Sequence, residues 1–372
     1  MPTETFELLI TCAPGLENAL ANEAREKSFA VNGQLTGGVL LKGSWPDVWR
    51  ANLTLRGANS VAARIGSFPA SHMSELDKRA RKFEWRRWLP KNVPLEVTAS
   101  CKASRLYHSG AVCQRIETAL REEFGASFSD EAPIEVMARI ERNICTLSID
   151  TSGVLLHKRG LKQAMAKAPM RETMAALILR QCGYRGLEQV VDPMCGSGTF
   201  ILEAAEMAQG QLPGRLREFA FELLPSFDPQ EWRKMKLQPS QETQLRFHGF
   251  DRDAGAIKAA TANATRAGVM NVTHFTRQPI AQLKRPEGPP GLVICNPPYG
   301  ARIGDLKKLS SLYASFGQVM RENFSGWRVG LVTNEASLAK ATGLPFLKPS
   351  ELISHGGIKI RLHQTRPLPL AA

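Results

Sequence analysis

The sequence lacks the features of several common protein classes. No apolar run approaches the length of a membrane-spanning helix, so we expect a protein that does not cross a membrane. The seven cysteines are scattered, with no Cys-x-x-Cys pair and no histidine at ligand spacing, which argues against a zinc site or a disulfide framework. The first residues are neither basic nor followed by an apolar core, so no signal peptide is predicted. We therefore expect a cytoplasmic protein without a metal ion.

Motifs that bind phosphates and dinucleotides are missing as well. A phosphate-binding loop ends in Gly-Lys-Ser or Gly-Lys-Thr, and a dinucleotide-binding turn needs three glycines in the pattern G-x-G-x-x-G. The one candidate turn contains Gly196 and Gly198, but Ile201 occupies the third glycine position. If this turn binds a ligand, it does so through neither a phosphate-binding loop nor a dinucleotide-binding turn.

The composition is that of a globular, basic protein. With 372 residues, of which 43% are hydrophobic and 22% charged, the chain has room for two or three domains with sizeable cores. Its formal net charge is +13. Such an excess favours a polyanionic partner, although an enzyme that is merely basic would show it too.

The candidate turn lies in the segment from Asp192 to Phe200. It follows an apolar pair, Val190-Val191, and precedes a helix-like run that starts at Ile201. A strand, a glycine-rich turn and a helix form the ligand-binding corner of a doubly wound α/β domain. The glycines allow a tight turn and a close approach to a ligand because they lack a Cβ, and Asp192 is placed to meet a cation or a hydroxyl. By itself, the turn is also compatible with a connection that binds nothing.

A second apolar strand, Leu292-Val293-Ile294-Cys295, ends in Asn296-Pro297-Pro298-Tyr299. Two successive prolines fix two φ angles and remove two backbone donors, so the loop exposes carbonyl groups. Asn296 offers an amide oxygen, Pro297 an unpaired carbonyl and Tyr299 an aromatic face. Together they suit a flat molecule with an amino group on its edge. The alternatives are a purely structural turn and a Tyr299 side chain that belongs to the core.

These two motifs, in this order, resemble those of the class I S-adenosylmethionine-dependent methyltransferases that methylate an exocyclic amine of a base. The resemblance implies a Rossmann-like α/β domain, doubly wound, with a mostly parallel seven-stranded sheet and a terminal antiparallel hairpin strand. It implies that Asn296, Pro297, Pro298 and Tyr299 are catalytic and that Asn296 also contacts the cofactor, S-adenosylmethionine. The other expected cofactor contacts in the turn are Asp192, Pro193, Met194, Cys195, Gly196, Ser197, Gly198 and Thr199.

Further cofactor contacts are expected after the next two strands. Asp251 ends the second strand, where a carboxylate can accept both ribose hydroxyls, and Arg252 lies beside it. The alternative for Asp251 is a helix N-cap, a role that Asp253 could fill instead. In the family an acid that contacts the adenine amine commonly follows the third strand. The matching residue here is Gln278, whose side-chain oxygen can accept the same hydrogen bond.

The N-terminal half alternates short strands and helices, which predicts an α+β fold with an antiparallel sheet. The order of elements, with the short signature Leu106-Tyr107-His108-Ser109, resembles the THUMP domain, an RNA-binding module. We expect a ferredoxin-like α+β module at residues 1–60, a THUMP domain at residues 45–155 with an overlapping boundary, and a catalytic domain at residues 160–372.

A basic run with interleaved aromatic residues extends from Lys78 to Lys91. Such a run can bind RNA through phosphate contacts and stacking. It can also be a helix with a solvated basic face and core aromatics, and the two interpretations are compatible. We expect Trp85 and Trp88 in the core. The residues expected to contact RNA are Lys78, Arg79, Arg81, Lys82, Arg86, Arg87, Lys91 and Arg105.

An aromatic insert between Gly210 and Trp232 points to a narrower group. It resembles the insert of the bacterial 23S rRNA guanine-N2 methyltransferases of the RlmL and YpsC type. That resemblance implies methyl transfer to the exocyclic N2 amine of a guanosine, with rRNA as the partner and a monomeric enzyme. The same reaction on tRNA is the nearest alternative. A DNA adenine-N6 methyltransferase and a non-catalytic RNA-binding assembly factor are the others.

Overall fold

The computed structural model describes residues 5–160, 170–299 and 306–370. Contacts between residues divide the chain into two compact units. The N-terminal unit comprises residues 1–11, 21–156 and 214–237, and the C-terminal unit comprises residues 12–20, 157–213 and 238–372. The polar link from Lys162 to Lys167, and Pro169, which the sequence places in the first turn of a helix, lie outside the described residues.

The N-terminal unit is built on a single sheet. The elements over this part of the chain are β1 (Phe6–Thr11), α1 (Glu17–Glu26), β2 (Ala30–Leu35), β3 (Gly38–Gly43), α2 (Trp45–Thr54), β4 (Ser60–Pro69), α3 (Met73–Arg81), β5 (Leu95–Lys102), α4 (Ser109–Ala119), β6 (Ile134–Glu141) and β7 (Ile144–Asp150). The seven strands have the order β2-β3-β1-β4-β7-β6-β5. Neighbours are antiparallel except β5 and β6, which are parallel. This confirms the predicted α+β class.

Strand β4 joins the two predicted N-terminal modules into one sheet, since it pairs with β1 on one side and β7 on the other. The sequence analysis missed this strand because Ser60–Pro69 contains a glycine, ends in proline and shows no regular alternation. The pairing with β7 shifts register between Arg64 and Gly66. A Cβ on Gly66 would lie 2.6 Å from the ring of Phe83. Glycine is therefore needed where this aromatic ring crosses the strand.

The basic run is not one helix. α3 ends at Arg81, and a 3-10 turn over Trp85–Arg87 follows. The spacing of Val112, Ile116 and Leu120 in the sequence predicts a helix from Ala111 to Phe124. The structure forms α4 and a π-helical turn, Leu120–Phe124, over this segment, and the turn ends at Gly125 with φ +78°.

From Gly214 onward, the aromatic insert belongs to the N-terminal unit. It contains a 3-10 turn, Ala220–Leu223, and α7 (Pro229–Lys236). The ring of Phe221 stacks on Trp49, with centroids 6.3 Å apart, and meets Trp232 edge to face at 5.0 Å. The Phe221 N–H also donates to the Thr151 carbonyl at 3.0 Å. Aromatic packing and one main-chain hydrogen bond thus hold the insert against α2 and the residues after β7.

The C-terminal unit is a three-layer α/β fold. Its elements are α5 (Glu172–Gln181), β8 (Val190–Asp192), α6 (Thr199–Ala208), β9 (Phe247–Asp251), α8 (Ala254–Ala267), β10 (Thr273–Arg277), β11 (Leu292–Cys295), α9 (Leu306–Asn323), β12 (Arg328–Thr333), α10 (Ala336–Ala341), β13 (Ile353–His355) and β14 (Ile358–Gln364). The seven strands have the order β10-β9-β8-β11-β12-β14-β13.

The sheet confirms the predicted doubly wound fold. Strands β10, β9, β8, β11 and β12 are parallel, whereas β14 runs antiparallel to β12 and forms a hairpin with β13. The strand order reverses at β8, with β9 and β10 on one side and β11 and β12 on the other. In open sheets of this kind, ligands bind outside the carboxyl ends of the strands at such a switch point. Both sequence motifs begin at those ends.

One apolar core supports the loops at this edge. It contains fully buried residues of β11, α9 and β12, including Cys295, Phe316 and Leu331. Met194 and Tyr299, which belong to the two motif loops, are partly buried against it. Within the described ranges, no helix combines the length and the hydropathy that crossing a membrane requires.

Candidate active site

The glycine-rich turn is shaped by two backbone conformations that favour glycine. Gly196 has φ +53° and Gly198 has φ +85°, and Gly198 precedes the first residue of α6. A Cβ on Gly198 would lie 3.2 Å from both Ala260 and the Phe275 ring. The Asn263 amide of α8 donates to the Ser197 carbonyl at 3.0 Å. The turn is therefore held by packing and hydrogen bonds from the following βα unit.

Asp251, the last residue of β9, forms a hydrogen bond that links this strand to the glycine-rich turn. Its two oxygens accept the N–H of Gly196 at 3.0 Å and the N–H of Asp253 at 2.9 Å. Asp253 caps α8 by accepting the Gly255 N–H at 2.8 Å. The N-cap role therefore falls to Asp253. A carboxylate offers about four acceptor positions, so Asp251 retains capacity for ligand hydroxyls.

Asp192 is a buried carboxyl at the end of β8. It is 2% exposed and accepts the Met194 N–H at 3.1 Å. Burial raises the pKa of this carboxyl to about 8, the charge of Asp251 adds to the increase, and the Met194 hydrogen bond opposes it. A positive charge nearby would favour the ionised form of Asp192, so this poorly solvated pair of neighbouring acids suits a cation.

The remaining predicted cofactor residues lie after β9 and β10. Arg252 is exposed, and its carbonyl accepts from Arg277 at 3.2 Å. Gln278 is half-buried, and its N–H donates to the Asp251 carbonyl at 2.9 Å. The Gln278 side-chain amide donates to the Gln282 carbonyl at 2.5 Å. That bond uses the nitrogen, so the side-chain oxygen is left to accept a hydrogen.

The Asn-Pro-Pro-Tyr loop follows β11 directly. The side-chain oxygen of Asn296 is buried and has no hydrogen-bond partner among the described residues. Pro297 is buried, Pro298 is exposed, and Tyr299 is half-buried, so burial raises the pKa of its hydroxyl. The Tyr313 hydroxyl of α9 lies 3.4 Å from the Pro298 carbonyl. A buried acceptor without a donor is unfavourable, which marks the Asn296 oxygen as a place for a ligand N–H.

The two cysteines of the site are not nucleophiles. Cys195 and Cys295 are both buried, and burial raises the pKa of each thiol well above its ordinary value, with the charges of Asp192 and Asp251 adding to the effect. Because the thiolate is the reactive form, neither side chain is suited to covalent catalysis.

The predicted RNA-contacting residues lie in the N-terminal unit. Seven of them are exposed: Lys78, Arg79, Lys82, Arg86, Arg87, Lys91 and Arg105. Arg81 differs because it is half-buried and pairs with Asp77, Glu122 and Glu123. These pairs leave Arg81 less able to contact a phosphate than the seven exposed residues.

The tryptophans of the basic run are core residues, as predicted. Trp85 is 2% exposed, and its indole N–H donates to the Ala80 carbonyl at 2.8 Å. Trp88 is 7% exposed and packs against Phe6 and Trp45. The exposed aromatic side chain of this unit is instead Tyr107, at 76% exposure, with the ring of His108 at 4.9 Å.

Several residues that shape the site were not predicted. Asn263 and Tyr313 hold the two motif loops, and Asn334, which follows β12, has a buried side-chain oxygen without a partner among the described residues. The sequence offers a weak signal for Asn334, since a polar residue directly follows a strand at the carboxyl edge. Nothing in the local pattern marks Asn263 or Tyr313, which act through packing across the fold.

A doubly wound sheet with a short glycine turn, two acids and a buried amide acceptor at its switch point defines a methyltransferase of the Asn-Pro-Pro-Tyr class. Residues 159–352, just over half of the chain, match the RMKL-like methyltransferase domain, and the chain belongs to this family. Residues 7–62 match the RlmL ferredoxin-like domain, and residues 70–150 match the THUMP domain. The predicted family membership is thereby confirmed.

Individual relatives support the same assignment. The chain is 32% identical over 370 residues to the ribosomal RNA large subunit methyltransferase K/L of Marinobacter nauticus, covering 93% of this chain and 50% of that protein. The chain thus spans about half the length of such curated relatives.

Two crystal structures superpose over nearly the whole chain, each with a TM-score of 0.88. One is SMU.472 complexed with SAH, at 28% identity and full coverage of both chains. The other is a predicted N6-adenine-specific DNA methylase from Listeria monocytogenes, at 29% identity with 98% of this chain and 97% of that chain covered.

Proposed function

We propose that this protein transfers a methyl group from S-adenosylmethionine to the exocyclic N2 amine of a guanosine in large-subunit rRNA. The observation that carries the proposal is the buried side-chain oxygen of Asn296, which has no hydrogen-bond partner among the described residues and lies at the switch point of the sheet. The name of the Marinobacter relative supports an rRNA substrate, and SMU.472 complexed with SAH supports the cofactor.

The residues at the carboxyl edge fit this cofactor. At Gly196 and Gly198 the turn carries no side chain, Asp192 favours a cation, and Asp251 retains acceptor capacity for hydroxyls. We assign to cofactor binding the turn from Asp192 to Thr199 together with Asp251, Arg252, Gln278 and Asn296. When bound, S-adenosylmethionine supplies a methyl group made strongly electrophilic by its sulfonium.

The protein's task is to prepare the nucleophile. The lone pair of a guanine N2 amine is delocalised into the ring, which makes the amine a weak nucleophile. If the Asn296 oxygen and the Pro297 carbonyl each accept one amine hydrogen, the nitrogen moves toward tetrahedral geometry and its lone pair is aligned for attack. Fixed acceptors and alignment lower the barrier without a strong base. The proton is lost afterwards to water.

Tyr299 and the prolines complete the loop. The two prolines fix the backbone that presents these acceptors. The half-buried Tyr299 ring offers a face on which the target base can stack once it has left any stem. Raised by burial, the pKa of the Tyr299 hydroxyl keeps this side chain neutral at physiological pH. Stacking rather than acid–base chemistry is therefore its role.

The N-terminal unit is assigned to RNA binding. We propose a ferredoxin-like module at residues 1–60, a THUMP domain at residues 45–155 and a catalytic domain at residues 160–372. The exposed basic residues after β4, with Arg105, would contact phosphates. Among the eight predicted contacts, Arg81 is the weakest candidate because of its three acidic partners.

The test is methyl transfer from labelled S-adenosylmethionine to separated rRNA and tRNA from cells that lack this protein, with the nucleosides resolved by chromatography. N2-methylguanosine in large-subunit rRNA is the expected product. The same nucleoside in tRNA would change the substrate, and N6-methyladenosine would change the base. Cofactor binding without transfer to either pool, and without transfer to isolated ribosomal subunits, would contradict an enzymatic role.

A further inference from the structure

Two buried amide oxygens without partners lie at the ends of adjacent strands. The side-chain oxygens of Asn296 and Asn334 are both in this state among the residues that the structure describes. Asn296 follows β11 and Asn334 follows β12. These strands are parallel, with Cys295 opposite Leu331, so their carboxyl ends meet at one edge of the sheet. The proposed amine-binding loop therefore has a second acceptor as a neighbour.

One side chain links Asn334 to the catalytic loop. The Tyr313 hydroxyl lies 3.4 Å from the Pro298 carbonyl and 3.4 Å from the Thr333 hydroxyl oxygen. Thr333 is the residue directly before Asn334, and its hydroxyl oxygen accepts the Glu335 N–H at 3.2 Å. The Thr333 side chain, directly before Asn334, is thus linked through Tyr313 to the Asn-Pro-Pro-Tyr loop. A buried side-chain oxygen beside this link, with no partner among the described residues, is a place for a donor from a ligand.

The chemistry of the bases identifies that donor. In guanine, the N2 amine adjoins a ring nitrogen, N1, that carries a hydrogen. In adenine, the N6 amine also adjoins N1, but there the nitrogen carries a lone pair. A third acceptor beside the amine-binding pair would receive a hydrogen bond from guanine and would face a lone pair in adenine. Enzymes that pair a buried polar group with one substrate reject an analogue that leaves it unpaired.

We propose that Asn334 selects guanine over adenine, with its side-chain oxygen accepting the N1–H of the target base. This inference rests on the proposed function and deepens it, since it assigns base selection to a residue outside the Asn-Pro-Pro-Tyr motif. It also separates this protein from an adenine-N6 enzyme with the same catalytic loop. Asn334 contacts the substrate without touching the transferred methyl, so it is a specificity residue.

The experiment varies the protein and the base together. After the methylated guanosine has been located by mass spectrometry of nuclease fragments, ligated rRNA is prepared with guanine or 2-aminopurine at that position. 2-Aminopurine keeps the C2 amine but has no hydrogen on N1. Wild-type protein should methylate guanine at least about 30-fold faster in kcat/KM than 2-aminopurine, and Asn334→Leu should reduce this ratio to roughly threefold.

Two further variants distinguish a loss of base selection from a general effect of substitution on the fold. Asn334→Asp keeps an acceptor and should retain the preference for guanine, whereas a loss equal to that of Asn334→Leu would overturn the acceptor role. Ser337→Ala, at an exposed position of α10, should leave the ratio unchanged. Affinity for S-adenosylmethionine should stay within about threefold of wild type in every variant, because none of the changed residues is assigned to the cofactor site.

The outcomes also separate this inference from the proposed function. If wild type forms N2-methylguanosine but Asn334→Leu keeps the full preference for guanine, only the role of Asn334 is wrong. If wild type methylates adenine, or no base at all, the proposed function fails and the selection of guanine fails with it. A preference for guanine that falls in Asn334→Leu and persists in Asn334→Asp supports both the role of Asn334 and the proposed function.

Discussion

At the scale of single residues, the oxygen of Asn296 should contribute mainly to the rate of transfer and to a smaller extent to cofactor binding, in which this residue is also assigned a contact. Replacing Asn296 by Ala removes one fixed acceptor for the developing charge on the amine. The expected loss in kcat is about 10²–10³-fold, as for other preorganised hydrogen-bonding groups. Single-turnover kinetics at saturating cofactor measure it.

A matched control makes that result specific. Thr265→Ala changes an exposed hydroxyl of α8 that bonds only within its own helix, to the Thr261 carbonyl. It should leave kcat unchanged. If Asn296→Ala instead weakens cofactor binding tenfold and leaves the single-turnover rate intact, the oxygen serves the cofactor and not the amine.

The raised pKa of Asp192 predicts a coupling between cofactor binding and protons. With a pKa of about 8, the buried carboxyl holds its proton at neutral pH in the folded, cofactor-free protein. In the unfolded chain the same group ionises near pH 4, so the folded state loses stability as the pH rises from about 4 toward 8. A cationic ligand favours the ionised form. Binding of S-adenosylmethionine should therefore release a proton and strengthen with rising pH up to about 8.

Calorimetry in buffers of different ionisation enthalpy measures the released proton. Wild type should release close to one proton per cofactor at pH 7, and Asp192→Asn should release almost none. Affinity that does not change with pH in wild type would show that the cation does not lie near Asp192.

The residue scale also shows what a sequence can and cannot reveal about a site. The positions of Gly196, Asp251 and Asn296 at the carboxyl edge of the sheet could be predicted because each sits in a short local pattern next to an apolar strand. Asn334 and Tyr313 could not, because their placement depends on the pairing of β11 with β12 and on the packing of α9. Local spacing carries no information about which strand lies next to which.

At the scale of elements, α9 packs tightly on the residues after α10. A Cβ added to Gly317 would lie 1.7 Å from the carbonyl oxygen of Thr342, so the two segments would have to separate. Gly317→Ala should lower the free energy of unfolding by roughly 3 kcal/mol, the upper part of the range for overpacked sites. Chemical denaturation of the whole chain measures this.

Gly110→Ala provides the control for that prediction. Gly110 lies in α4, and no atom lies within 4 Å of a Cβ placed there. The substitution should be neutral or stabilise by up to about 1 kcal/mol through helix propensity. Equal losses at the two positions would mean that alanine is disfavoured for a reason other than the Thr342 contact.

Elements with a regular hydrophobic pattern were predicted closely, and elements without such a pattern were not. The sequence predicts strands over Phe6–Thr11 and Arg328–Thr333, and β1 and β12 have these bounds. Each is an apolar run flanked by polar or turn residues. β4 was missed, although it is central in its sheet, since its inner residues are mostly buried on both faces and give no alternation. A buried strand with a glycine bulge has the local pattern of an irregular segment.

At the scale of the whole molecule, long-range packing decides which part of the chain each segment joins. The aromatic insert lies between α6 and β9 in the sequence, yet its contacts place it in the N-terminal unit. The stacking of Phe221 on Trp49 brings together residues far apart in the chain. Composition predicts that such a segment is buried, but it does not identify the surface that buries it.

The net charge of +13 leads to a prediction for RNA binding as a whole. Each phosphate neutralised by a lysine or arginine releases counterions, so the logarithm of affinity falls with the logarithm of salt concentration by about 0.7 per contact on single strands. Changing the exposed residues Lys78, Arg79 and Lys82 to Gln together should reduce this slope by about 2 if all three contact phosphates.

Filter binding of rRNA fragments over a range of salt concentrations measures the slope. The control changes Arg233, Lys234 and Lys236 of α7, which are also exposed, to Gln and therefore removes the same net charge. If the slope falls only in the first variant, the basic run after β4 contacts the RNA. If it falls equally in both, binding follows the charge of the whole molecule, and the run from Lys78 to Lys91 is a solvated basic surface. Within the described residues Lys78, Arg79 and Lys82 form no salt bridge, whereas Lys234 of the control set pairs with Glu231 at 2.6 Å, so we expect the first result.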